Sequence, residues 1–204
     1  MLRNKLVLAT HNLHKRKEMN SILSSIGILL VGLDEFPHIG DIEETGETLL
    51  ENAFIKARTV YELTGLPSIA DDTGLEVDSL DGSPGVYSAR YAGKNPASHE
   101  NCNKLLLNLK GYPKEKRVAS FKTVIAFTDG EMEHYSEGIV KGMIVEDYRG
   151  IDGFGYDPIF QPESQSLTYA EMEMEEKNRI SHRFRALDKI KEFLVPYFKK
   201  KEKI

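Results

Sequence analysis

Between Pro67 and Asp78 the chain reads Pro-Ser-Ile-Ala-Asp-Asp-Thr-Gly-Leu-Glu-Val-Asp, a short apolar run that stops at two adjacent carboxylates followed by Thr-Gly. We read this as a strand that ends at an active site. Neighbouring residues on an extended chain point to opposite faces, so one of Asp71 and Asp72 faces the site while the other braces the loop behind it. A carboxylate at a strand end, close to other acidic groups, suits a hard cation as a ligand and a water as a base. Taken alone, Asp71-Asp72-Thr73-Gly74 is more simply a turn, because Asp and Thr oxygens bond the local backbone and Gly accepts positive φ. The remainder of the chain decides between the two readings.

Lys5-Leu-Val-Leu-Ala9 predicts a buried strand, and the polar stretch Thr10-His-Asn-Leu-His-Lys15 enters a helix with apolar spacing Met19, Ile22, Leu23 and Ile26 and a capping Gly27. Lys15, Arg16 and Lys17 crowd the helix end that already favours negative charge, so an anion is expected there. A strand, a loop with Thr and Asn and a helix N-terminus with a lysine is a recurrent phosphate cradle, although this one lacks glycine. Solvated lysines on an exposed first turn are the plainer alternative.

Ile28–Leu33 predicts a second strand and 34–46 a long acidic loop with Glu43 and Glu44. Thr48-Leu-Leu-Glu51 matches a capping box that opens a helix with Leu50, Phe54, Ala57 and Tyr61 along one stripe and Lys56 at its flank, read singly as a snorkelling surface lysine. Leu75–Leu80 reads as another strand, 81–93 as a turn-rich loop, and Ser98–Leu109 as a helix with Leu105, Leu106 and Leu109 inward. Asp129-Gly130 between Val118–Thr128 and Glu131–Val140 is the strongest short hairpin signal available, so the sheet is mixed. In Gly150-Ile-Asp-Gly-Phe-Gly-Tyr-Asp-Pro158, glycines permit close backbone approach and Phe154 or Tyr156 offers a ring to a planar base; a tight turn with packed aromatics fits equally. Ser181 is a suitable N-cap for a last helix with Leu187, Ile190 and Leu194 inward, which puts His182 and Arg183 at its start with donors aimed outward.

The net charge of −5 and the absence of a basic face give no footprint for a nucleic acid polymer, and the basic tail Lys199-Lys200-Lys201 reads as solvated. No apolar run is long enough to span a bilayer, and Met1-Leu-Arg-Asn-Lys-Leu6 lacks the apolar core of a signal segment, so no membrane partner and a cytoplasmic location are expected. The single Cys102 rules out an intramolecular disulfide and reads as a small core residue. With no linker or repeat, 1–204 is read as a single domain.

The fragments Thr10-x-Asn12-x-x-Lys15, Glu44-Thr-Gly46, Glu51-Asn-Ala-x-x-Lys56-Ala, Ala70-Asp-Asp-Thr-Gly74, Ser88-Ala-Arg-Tyr91, Gly153-Phe-Gly-Tyr-Asp-Pro158 and Glu176-Lys177 before Ser181-His-Arg183 are weak singly. Their set and order closely resembles the inosine/xanthosine triphosphate pyrophosphatase family, enzymes that remove non-canonical purine nucleotides, from Leu6 to about Leu194. The resemblance implies an α/β fold with an elongated central mixed sheet flanked by helices and two lobes around a nucleotide-binding cleft. It also implies a homodimer and Mg²⁺-dependent hydrolysis of ITP, dITP and XTP to the monophosphate and pyrophosphate.

Carried over by residue, the resemblance makes Thr10, His11, Asn12, Leu13, His14 and Lys15 the triphosphate loop, with no individual role for the two histidines. Glu44 and Asp72 become the metal-binding carboxylates and Asp72 the proton acceptor. Lys56 and Lys177 meet phosphate or base oxygens, and Thr73, at a position usually serine in bacterial relatives, keeps the hydroxyl for a phosphate. Phe154, Gly155, Tyr156 and Asp157 line the base and ribose pocket, and His182 with Arg183 read the base edge. A related pyrophosphatase of the septum-formation-inhibitor type, acting on modified pyrimidine nucleotides, and a non-catalytic nucleotide-binding protein are the alternatives. The Gly-Phe-Gly-Tyr-Asp and Ser-His-Arg stretches speak against the first, and the acidic neighbourhood of Glu44, Asp71 and Asp72 against the second.

Overall fold

The computed structural model describes residues 5–201, so the start Met1–Asn4, read above as lacking a signal segment, lies outside the described residues. In chain order the elements are β1 (Lys5–Leu8), α1 (Leu13–Leu23), β2 (Leu29–Gly32), α2 (Leu49–Thr64), β3 (Ser68–Val77), β4 (Pro84–Gly85), α3 (Ser98–Asn108), β5 (Val118–Thr128), β6 (Glu133–Ile144), β7 (Phe160–Pro162), α4 (Met174–Ile180) and α5 (His182–Lys201). The strands form one sheet in the order β2-β1-β3-β5-β6-β7, with β4 added beside β3. β1 runs parallel to both β2 and β3, and β3–β4 and β6–β7 are antiparallel. The mixed α/β class expected from the sequence is the class observed.

The Asp129-Gly130 signal holds. The Asp129 N–H donates to the Met132 carbonyl at 3.2 Å across the turn between β5 and β6, and adjacent strands joined by so short a loop can only run antiparallel. The Thr48–Glu51 capping box also holds, with both reciprocal bonds made, and Gly65 closes α2 in the left-handed conformation that favours glycine.

Two expectations are corrected. First, the strand does not stop at Asp71-Asp72. It continues to Val77, merging with the strand expected from Leu75, and nearly every residue along it is buried. The carboxylates tolerate an interior strand position because each has cationic partners, described below. Second, the inward face of α2 is Leu49, Asn52, Ala53, Lys56, Ala57 and Val60, rotated from the stripe Leu50, Phe54, Ala57 and Tyr61. Apolar spacing misjudged the face because two of its inward positions are polar.

The chain divides into two compact units, and β3, β5 and β6 contribute residues to both. Unit 1 comprises 1–72, 123–138 and 183–204. Its core joins Leu6 and Leu8 of β1, Met19 and Leu23 of α1, Ile69 of β3, Phe127 of β5, and Leu187, Ile190 and Leu194 of α5. Unit 2 comprises 73–122 and 139–182. Its core joins Leu75 and Val77 of β3, Leu105 and Leu109 of the α3 region, Phe121 of β5, Ile144 of β6, and Phe160 with Tyr169.

Candidate active site

Unit 1 carries a cluster of ionised side chains around β3. On one side of the strand, Asp71 Oδ2 lies 3.1 Å from Lys15 Nζ and accepts from Nε and a terminal nitrogen of Arg183, each at 3.2 Å. The opposite terminal nitrogen of Arg183 donates to Glu18 Oε2 in a short contact. Asp72 belongs to a second group. Lys56 Nζ donates to Asp72 Oδ1 at 2.9 Å and to Glu44 Oε1 at 2.5 Å. The strand pleat thus gives the two neighbouring carboxylates different partners, as expected.

Their titration diverges accordingly. Burial alone would raise Asp71, but the Lys15, Arg183 and Lys56 charges outweigh it and hold the carboxyl well below the usual range. Burial also pushes Asp72 up; Lys56 and Lys15 oppose this, Glu44 adds to it, and the net shift is upward. Lys56, whose charge burial disfavours, is held above its ordinary value by Asp72, Glu44 and Asp71. Lys15, Arg183 and Lys56 meet Glu18, Glu44, Asp71 and Asp72 in this cluster. Asp72 Oδ2 is buried and has no hydrogen-bond partner among the described residues. A buried anionic oxygen without a donor calls for a cation, a water or a protonated partner.

The loop after β1 is built as a helix entry. Asn12 is the N-cap of α1, its Oδ1 accepting the N–H groups of His14 at 2.9 Å and Lys15 at 3.1 Å, while Thr10 Oγ1 accepts the Asn12 N–H. The anion expected beside the basic first turn is partly the chain's own, Asp71 for Lys15 and Asp34 for Arg16. Leu13 and His14 are exposed, and His11 Nε2 lies 3.2 Å from the Gly40 carbonyl, tying this loop to the acidic loop. Lys56 is corrected from a snorkelling surface residue to a buried one, because two carboxylates offset its desolvation.

Unit 2 holds the remaining candidates. Lys177 is buried and its Nζ donates to Asp157 Oδ2 at 2.8 Å while lying 4.8 Å from the Phe154 ring centroid. Asp157 Oδ2 also accepts the Phe154 N–H at 2.7 Å. Gly153 is needed here: its φ is +77°, and a Cβ would run into the Asp157 carboxylate. Phe154 and Gly155 are half-buried, whereas Tyr156 is a core residue whose hydroxyl donates to the Ser88 carbonyl at 2.9 Å. Cys102 is buried as expected, with Sγ 3.3 Å from the Gly155 carbonyl, and burial pushes its thiol up to about 11. Thr73 is half-buried beside Asp72 in the sequence.

The start of α5 departs from expectation. His182 and Arg183 are both buried instead of aiming donors outward. The His182 ring stacks on Phe121, centroids 4.5 Å apart and planes within 8°, and Arg183 turns to Asp71 and Glu18. A helix start that the apolar pattern left polar is in fact interior, because carboxylates and an aromatic face receive its first two side chains. Glu18 was not anticipated as part of the cluster. Its signal was its place four residues before Ile22 on the inward face of α1, where a carboxylate needs a buried cation.

No group of three or more His, Cys, Asp or Glu side chains able to hold a metal occurs among the described residues. The donor chemistry nevertheless suits a hard cation: carboxylate oxygens of Glu44 and Asp72 meet at Lys56, and Asp72 Oδ2 has no hydrogen-bond partner among the described residues.

These features define an α/β protein with a buried lysine–carboxylate cluster in one unit and a lysine–aspartate–aromatic group in the other. The Ham1 family model matches residues 6–193, and the chain belongs to the Ham1 family. It is 46% identical over 197 residues to a dITP/XTP pyrophosphatase of Thermoanaerobacter sp. (strain X514), covering 97% of this chain and 100% of that one. It is 48% identical to the dITP/XTP pyrophosphatase of Porphyromonas gingivalis, covering 94% and 97%. Among solved structures, a HAM1 protein from Coxiella burnetii superposes with a TM-score of 0.87 at 43% identity, covering 96% of this chain and all of that one.

Proposed function

We propose that this chain hydrolyses the non-canonical purine nucleoside triphosphates ITP, dITP and XTP to the monophosphate and pyrophosphate with Mg²⁺, so cleansing the nucleotide pool. The enzyme class, nucleoside triphosphate pyrophosphatase, is that of its Ham1 relatives. The observation that carries the reading is Asp72, a buried carboxylate with a raised pKa and an unpartnered oxygen, coupled through Lys56 to Glu44.

Glu44 and Asp72 would hold Mg²⁺, which when bound polarises the α-phosphate and neutralises the departing pyrophosphate. Lys15 and Lys56 receive phosphate charge. Asp72 orients the attacking water and accepts its proton. Asp71, held ionised, does not titrate with it and keeps Lys15 extended toward the strand. In unit 2 the Lys177–Asp157–Phe154 group offers an ammonium and a ring to the purine and ribose.

Base selection would rest on His182 and Arg183 at the start of α5. Hypoxanthine and xanthine present an O6 acceptor where adenine presents an amino donor, and a buried donor left unpaired by ATP discriminates by ~10⁴-fold or more. Guanine shares O6 and is the harder base to reject. A homodimer and a cytoplasmic location complete the proposal.

The test is pyrophosphate release from ITP, dITP, XTP, GTP, ATP and dTTP with Mg²⁺ or EDTA. Metal-dependent release favouring ITP and XTP supports the reading. A pyrimidine preference, or binding without turnover, overturns it.

A further inference from the structure

We propose that Asn52 is a positioning residue that sets the acidic loop so that Glu44 reaches the metal-binding position, an inference that rests on the reading of Glu44 as a metal ligand. The residues before α2 are fastened to its first two turns in succession. Glu44 meets Lys56, the Gly46 N–H donates to Asn52 Oδ1 at 2.8 Å, and the N–H groups of Glu47 and Thr48 donate to Glu51 Oε2 at 2.7 and 3.1 Å. The last of these belongs to an ordinary capping box. The Gly46 tie does not, and it lies two residues from Glu44.

Gly46 approaches so closely that a Cβ there would sit 2.7 Å from both Asn52 Oδ1 and Glu51 Cβ. The loop is therefore docked on Asn52 by shape as well as by a hydrogen bond. A backbone N–H only donates, so the atom facing it is the amide oxygen, and the amide orientation is fixed.

That orientation leaves Asn52 Nδ2 buried with no acceptor among the described residues, on a side chain with 0% exposure. An apolar side chain of the same size would fill the same space and strand only the Gly46 N–H in place of the two Nδ2 donors, so the amide is a poor choice for stability and a good one for holding Gly46. Asn52 also sits one helical turn before Lys56 on the same inward face, which places the loop tie and the carboxylate bridge side by side.

The discriminating variants are Asn52→Leu and Asn52→Asp, examined by melting temperature, hydrogen exchange of the Gly46 amide in metal-free protein, and the Mg²⁺ concentration that supports half-maximal binding of a non-hydrolysable imido analogue of ITP. Asn52→Leu is expected to melt at or above the wild-type temperature, exchange the Gly46 amide faster, and need about 10-fold more Mg²⁺, the usual cost of losing a group that orients a metal ligand. Asn52→Asp keeps the acceptor oxygen and is expected to restore slow Gly46 exchange and a Mg²⁺ requirement near wild type. A purely structural role would lower the melting temperature of Asn52→Leu and leave its Mg²⁺ requirement unchanged. Either that result or unaltered Gly46 exchange overturns the proposal. If the wild-type protein binds the analogue equally well in EDTA, the metal reading of Glu44 fails instead, while the Gly46 exchange still reports whether Asn52 holds the loop.

Discussion

Asp71 and Asp72 are adjacent and isosteric, yet replacing each by Asn should have very different effects on stability. Asp71 answers two cations with help from Glu18, so Asp71→Asn leaves Lys15 and Arg183 facing one carboxylate. Breaking a buried pair by removing one partner costs about 3–5 kcal/mol, and the lower end applies because Lys15 keeps some solvent contact and Arg183 keeps Glu18. About 3 kcal/mol corresponds to a melting temperature lower by roughly 6–12 °C in a chain of this length. Asp72→Asn removes one of two carboxylates that share Lys56 and leaves a neutral Glu44–Lys56 pair. Its amide oxygen still accepts from Lys56, so the change should stay within about 1 kcal/mol, the scale of one neutral hydrogen bond.

The pH dependence sharpens this contrast. The native Asp71 pKa is depressed, so its contribution is complete above the unfolded value near ~3.9 and is lost as pH falls through the native value. The native Asp72 pKa is raised, so its contribution is complete below the unfolded value and is lost as pH rises through the native one. Ionised Asp72 is thus a cost that Asn removes, and the gap between the variants should narrow as pH falls and Asp72 takes up a proton. The assay is urea unfolding followed by circular dichroism from pH 4 to 8 without Mg²⁺, alongside pyrophosphate release. Equal destabilisation by both variants would refute the division of labour between the two carboxylates, as would near wild-type turnover by Asp72→Asn.

With Asp72 as the base, the acid limb of kcat/KM should lie above the ordinary carboxylate range, because the active form is ionised and burial with Glu44 raises its pKa; a limb at or below that range would remove Asp72 from the role. Thr48→Ala should cost about 1 kcal/mol in unfolding experiments through loss of the α2 cap and leave the ITP to ATP preference unchanged; a changed preference would mean that the cap acts on the site.

Elements governed by local rules were legible in the sequence: the Asp129-Gly130 turn, the Thr48–Glu51 cap, and the α5 stripe of Leu187, Ile190 and Leu194 all occur as read. The family, and with it the enzyme class, was legible from the ordered set of short motifs. What the sequence obscured were the places where charge is buried. Periodicity treats Lys56, Glu18, Asn52 and Arg183 as outward-facing because each is polar, and it turned the α2 face away from its true position. Each of the three charged residues is inside because an opposite charge from a distant part of the chain meets it, such as Glu18 on Arg183, and no local pattern encodes such pairing. The same blindness cut β3 short at Asp71, where a charged pair looked like the end of a strand.

Lys56 permits a last test, because it holds together the two carboxylates that would bind a metal. Its ammonium supplies positive charge to Glu44 and Asp72, and under the proposed function it would be both a phosphate ligand and a competitor of the cation. Lys56→Met keeps most of the packed stem, removes that charge, and leaves the cluster more negative. Two unit charges about 4 Å apart exchange about 4 kcal/mol at an effective dielectric near 20, so even a fraction of this should tighten nucleotide-free Mg²⁺ binding by ~10-fold. The same variant should bind a triphosphate analogue more weakly, since phosphate charge loses a partner. Calorimetric titration measures both. Metal and nucleotide affinities that move in opposite directions fit an ammonium that trades places with the cation. If both fall, Lys56 is a scaffold for the carboxylates and not a competitor.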